Sequence, residues 1–214
     1  MELQAGIGLG EVRGATAGSP ESWPLRWFRT AYRPWIAYGL LATAALGYSV
    51  VAFELSLAHA QPMPAPYLRI ADADYFFWAT FFYAPVIAAA WLVSSAAVYV
   101  MLWGQRIKPL FDRLLTAVAL AVGTGTLATL VPDLVTSPLR AFGVINEHAW
   151  ELSIVNQGTW FFFTWTTLIA YVCLFAITFT LAVKAATAVT WTRAIATGLA
   201  GFVVFQGLEF VFIR

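Results

Sequence analysis

Residues 78–103 read WATFFYAPVIAAAWLVSSAAVYVMLW, and residues 104–113 follow as GQRIKPLFDR. The first stretch holds 26 residues without one charged side chain. A helix needs about 20 mostly apolar residues to cross the ~30 Å hydrocarbon core of a bilayer. The second stretch gathers Arg106, Lys108 and Arg113 into a turn too polar to enter lipid. Beyond it, Pro109 suits the first turn of a helix, and a second apolar run continues to Val131. A run, a basic turn and another run read as a membrane hairpin.

Outward from this hairpin the same pattern repeats. The spacing predicts spans over 35–57, 78–103, 109–131, 160–183 and 194–213. Of the 214 residues, 61% are hydrophobic and only 11% charged, and the mean hydropathy is +0.76. A soluble domain of this length could not hide so much apolar surface. The expected fold is all-α: one polytopic bundle of five transmembrane helices over residues 35–214.

Basic residues set the orientation of such a bundle, because Lys and Arg resist translocation. A cytoplasmic N-terminus places Arg13, Arg26, Arg29, Arg33, Arg106, Lys108, Arg113, Lys184 and Arg193 inside, against Arg69, Arg140 and Arg214 outside. The expectation is therefore N-terminus cytoplasmic and C-terminus outside, as a multi-pass protein of a bacterial inner membrane. Residues 1–21 read as a flexible cytoplasmic tail, and residues 1–22 lack the pattern of a secretory signal. Residues 22–34 read as an amphipathic interfacial helix, with Ser22 as cap and Pro24 in the first turn. Arg26, Arg29 and Arg33 share one face suited to headgroup contact, and Leu25, Phe28, Tyr32 and Trp35 share the next. Flanking charge plus an aromatic belt explains the same residues. Pro62, Pro64 and Pro66 favour an extended strap between the first two spans. Leu139, Phe142, Ile145, Ala149 and Leu152 suggest a surface helix before the fourth.

Between helices in lipid, close backbone approach replaces the hydrophobic effect as the source of attraction. Small residues at four-residue spacing are therefore the candidate packing positions. These are Gly39, Thr43 and Gly47 in the first span, Ala117, Ala121, Gly125 and Thr129 in the third, and Gly198 in the fifth. The third span should be central.

Chemistry-bearing residues are few. Glu54 and Glu209 lie inside runs, about one turn from the outer ends, and an intramembrane carboxylate is a functional hypothesis by default. With His59 and Gln206 they outline an outer polar site; the plainer alternative is carboxylates that snorkel or pair with Arg69, Arg140 or Arg214. No catalytic pair, metal-ligand spacing or nucleic-acid feature is visible. His59 and His148 stand outside the runs, so no axial ligand for a mid-membrane haem is expected. No cofactor is predicted, although the aromatic faces suit bound lipid or pigment. Cys173, the sole cysteine, reads as a buried inert thiol.

The stretch from Pro85 to Pro132 carries a family resemblance. A helix ends at Gly104 in a basic turn, Phe111–Asp112–Arg113–Leu114–Leu115 opens a small-residue helix, and Leu130–Val131–Pro132 closes it. A final hairpin runs from Trp165 and Leu168 to Lys184–Ala185–Ala186 and Arg193–Ala194. This layout resembles the bacterial branch of the Yip1 family. The resemblance implies a non-enzymatic membrane adaptor and transfers no functional residue. The reading is thus a membrane scaffold or accessory subunit that packs against lipids and other integral membrane subunits. The alternative is a small-solute or ion carrier that uses Glu54 and Glu209.

Overall fold

A computed structural model describes residues 23–60, 70–146, 150, 152 and 158–212. The expected tail over 1–21, the proline strap, His148, Arg69, Arg214 and Ile213 lie outside them, as does most of 147–157. Among the described residues, five helices are long and apolar enough to cross a membrane, so the chain is a multi-pass membrane protein. They are α2 (Pro34–Leu57), α3 (Tyr75–Gly104), α4 (Phe111–Ala141), α5 (Thr159–Ala186) and α6 (Trp191–Phe212). A short α1 (Trp23–Thr30) precedes them. Lipid offers no hydrogen bonds to a bare backbone, so each run closes its own ladder as a helix.

Around the bundle the order is α4, α2, α3, α6, α5 and back to α4, with α3 also touching α4. One end carries α1 and the turns at 105–110 and 187–190; we call it the basic end. The opposite end carries Glu54, Asp72, Asp74, Asp133 and Glu209 and is the acidic end. In α4, 72% of the most apolar window is buried, against 28–39% in the other four spans. The largest interface is the parallel pair α2/α4 rather than the α3/α4 hairpin. Its cause is local: a β-carbon at Gly123 would stand 2.6 Å from the Leu41 amide nitrogen, so only glycine lets the two backbones meet.

A ladder of polar bonds follows that contact. The Tyr32 hydroxyl donates to the Arg113 carbonyl. Tyr38 meets Thr116 at 3.3 Å and Tyr48 meets Thr129 at 3.2 Å. Ser137 donates to the Glu54 carboxylate. Burial pushes the Tyr32 phenol up to about 12, against the opposing charge of Arg113, so it remains a donor at neutral pH.

Four of the five expected spans agree with the helices to within three residues at each end, and three other expectations do not. The third span does not stop at Val131 but runs to Ala141 through Pro132 and Pro138. Each proline removes one ladder bond. The extension buries Thr136 and Ser137 and joins α4 to Glu54, which offsets that loss. The expected interfacial helix over 22–34 is split: α1 ends at Thr30 and α2 starts at Pro34. Leu25 and Phe28 are buried in the bundle core, where α1 rests on α5, while Arg26, Arg29 and Arg33 are exposed. No single surface helix starts at Leu139, which belongs to α4; Phe142 and Gly143 form the turn that follows.

Candidate functional site

The packing stripes resolve into used and unused positions. Ala117, Ala121, Gly125 and Thr129 are all buried in α4. A β-carbon at Gly125 would lie 2.9 Å from the Phe175 ring, and one at Gly198 would lie 2.7 Å from Thr180 Cα. Gly47 abuts Leu130. Gly39 and Thr43 are exposed, and among the described residues nothing lies within 4 Å of a β-carbon at Gly39. The face of α2 that packs is instead Ala37, Leu41, Ala44, Ala45, Val51 and Ala52. Cys173 is exposed on α5 rather than buried.

The four residues of the expected outer polar site separate. His59 is exposed beyond α2, in a left-handed conformation with φ 51°. Glu54 is half-buried and bound to Ser137. Gln206 and Glu209, one turn apart on α6, come together around a third residue, Tyr171 of α5. The Tyr171 hydroxyl lies 2.6 Å from Gln206 Oε1 and 2.8 Å from Glu209 Oε2.

These three line an internal cavity of about 160 Å³ to which every spanning helix contributes. Tyr48 enters from α2, Ile87 from α3, Thr126 and Thr129 from α4, and Phe175 from α5. At 1.5 Å per residue, Tyr48 and Tyr171 stand about 13 and 18 Å in from the acidic ends of their helices. Toward the basic end the cavity is sealed by aromatics. Phe175 stacks on Phe202 and Phe205 at 5.9 and 5.5 Å, and Phe179 packs beside them. Toward the acidic end, Asp133 follows Thr129 by one turn and lies beside the Tyr48 hydroxyl, within the field of Arg140.

The lining carries one carboxyl group and no cation. Tyr171 has one proton for two neighbours, so Gln206 Oε1 and Glu209 Oε2 cannot both receive it. Thr129 Oγ1 already faces the carbonyls of Gly125 and Thr126. Thr126 Oγ1 is buried with no hydrogen-bond partner. None of the lining residues is basic. An uncompensated carboxylate in the membrane costs several kcal/mol, so Glu209 calls for a proton or a cation. Among the described residues no three His, Cys, Asp or Glu side chains converge on a metal site. The oxygen set of Glu209, Gln206 and the threonines is of the kind that a hard cation or an ammonium group favours.

The sequence marks Gln206 and Glu209 but passes over Tyr48, Tyr171, Thr126 and Asp133. A tyrosine inside a run reads as part of the aromatic belt, and Asp133 stands behind Pro132, where the apolar run of the sequence ends. No family model, curated protein or solved structure matches the chain, so the site is read from its own geometry.

Proposed function

We propose that this chain is a membrane carrier that takes up a proton or a small cation at Glu209. One observation carries the reading. A carboxyl group whose hydrogen-bond partner is the neutral Tyr171 hydroxyl stands, without a basic residue in the lining, in a cavity that all five spanning helices share. Glu54, which accepts from Ser137, lies outside that cavity, near the acidic end of α2. Because every span touches the site, a small relative shift of any helix alters how Glu209 is held.

The role of Glu54 in this reading is secondary: it lies on the acidic side of Asp133, on the way out of the bundle. With the basic end taken as cytoplasmic, the aromatic seal faces inward and the polar path outward. Gly47, Gly123, Gly125, Gly198 and Gly201 abut atoms of their own chain, and Gly39 and Thr43 remain exposed for a partner, as the scaffold reading requires. The resemblance to the Yip1 family carries no residue into the cavity.

The test is flux. The full chain, reconstituted in phosphatidylcholine–phosphatidylglycerol vesicles with a trapped pH dye, is given gradients of H⁺, Na⁺, K⁺ or methylammonium. At least one gradient should collapse faster than in empty vesicles, and Glu209→Gln should slow that collapse about tenfold or more. Vesicles that never exceed the empty control, or a Glu209→Gln protein as fast as the parent, would overturn the proposal.

A further inference from the structure

The cavity has a neighbour on the lipid side. Between α4 and α5 runs an apolar groove of about 400 Å³, walled by Ala128, Pro132, Phe162, Phe163, Ala170 and Leu174. Thr129 and Tyr171 line this groove and also the polar cavity. Their polar tips turn inward. Tyr171 reaches Gln206 and Glu209, while Thr129 reaches Tyr48 and the carbonyls of its own helix. Two further grooves, of about 420 Å³ between α3 and α6 and about 510 Å³ between α2 and α3, share no lining residue with the cavity. Only the α4/α5 groove thus joins hydrocarbon to polar site among those described.

Small residues explain the opening. Ala128 and Ala170 bring no bulk to the α4/α5 seam, and Pro132 takes no part in the ladder on that side. The result is an apolar slot that ends on a wall of hydroxyls. Such a site matches a molecule with one apolar end and one polar end.

The chemistry of the wall selects the polar end. Glu209 and Gln206 offer carboxylate and amide oxygens to the cavity, and a primary ammonium carries three donors. A phosphate or carboxylate head would meet Glu209 with like charge. We propose that the cavity receives a lipid-soluble primary amine from the side: its ammonium group at Glu209 and Gln206, its alkyl chain in the α4/α5 groove. The inference rests on the carrier reading only in taking Glu209 as the group that accepts a cation.

Photolabelling tests it. Full-length protein in vesicles is exposed to a diazirine-bearing dodecylamine, or to a fatty acid with the same chain and diazirine, and labelled peptides are mapped by mass spectrometry. The amine should mark the groove segments of α4 and α5 about tenfold more than lipid-facing Leu92 and Val93 of α3, the loss expected where no charge-assisted bond holds the probe. Glu209→Gln should reduce that excess, and Ala170→Trp should abolish it by filling the slot. Circular dichroism shows whether each variant remains helical, and any one helical variant suffices. Label spread evenly over the spans, equal label from the fatty acid, or an excess untouched by a helical variant would overturn the inference. Glu209-dependent flux with scattered label sinks the amphiphile and leaves the carrier. Localised, Glu209-dependent label without flux does the reverse.

Discussion

Tyr171 holds one hydroxyl proton between two acceptors, at 2.6 Å from Gln206 and 2.8 Å from Glu209. Tyr38 is a contrasting case. Its partner Thr116 lies 3.3 Å away and already donates to the Asp112 carbonyl at 2.8 Å. Removing a donor costs most where buried acceptors are left bare, roughly 1–3 kcal/mol. Tyr171→Phe should therefore lower the unfolding midpoint in mild detergent by about that energy, while Tyr38→Phe should change it by less than about 1 kcal/mol. Equal shifts from the two substitutions would contradict the hydrogen-bond pattern assigned to the cavity. The pair also shows how far the site could be read beforehand. Glu209 announces itself, because an ionisable residue in an apolar run is costly wherever it points. A tyrosine in the same run is comfortable both in an aromatic belt and in a core, so its letter does not reveal that its hydroxyl faces inward.

Helix contacts in this bundle are decided by where backbones can touch. Gly198 lies against the Thr180 backbone, with both Cα and N 2.7 Å from a would-be β-carbon, and Gly39 faces open space. Gly198→Val should cost roughly 3 kcal/mol in detergent unfolding, since backbone rather than a flexible side chain must give way. Gly39→Val should stay within about 0.5 kcal/mol. A comparable loss at Gly39 would mean that α2 packs on its other face. Four-residue spacing alone put Gly39, Thr43 and Gly47 on one stripe, yet α2 presents Ala37, Leu41 and Ala44 to its neighbours. In an alanine-rich helix several faces are small, and spacing does not choose among them. The same ambiguity hid nearly three turns at the end of α4, because Pro132 is a common terminator and only the buried Thr136 and Ser137 show that the helix pays its cost.

At the scale of the whole molecule, the basic and acidic ends make orientation testable. In a Cys173→Ala background, Lys108→Cys tests the basic end and Val144→Cys the acidic end; both side chains are exposed. A membrane-impermeant maleimide added to intact cells should label the cysteine at 144 and spare the one at 108, with both labelled after lysis. The reverse pattern would invert the bundle and turn the sealed face of the cavity outward. The amino-acid sequence by itself determined that five helices span a membrane, and it did so through a local rule. Each run must satisfy its own backbone in lipid, and length and apolarity record that need residue by residue. The tertiary structure alone decided that α2 lies along α4, and that Tyr48, Thr126, Tyr171, Gln206 and Glu209 enclose one cavity. The physical reason is that lipid is as apolar as the bundle interior. Buried and exposed faces of these helices therefore carry the same kinds of residue, and no hydrophobic stripe marks which side meets a neighbour.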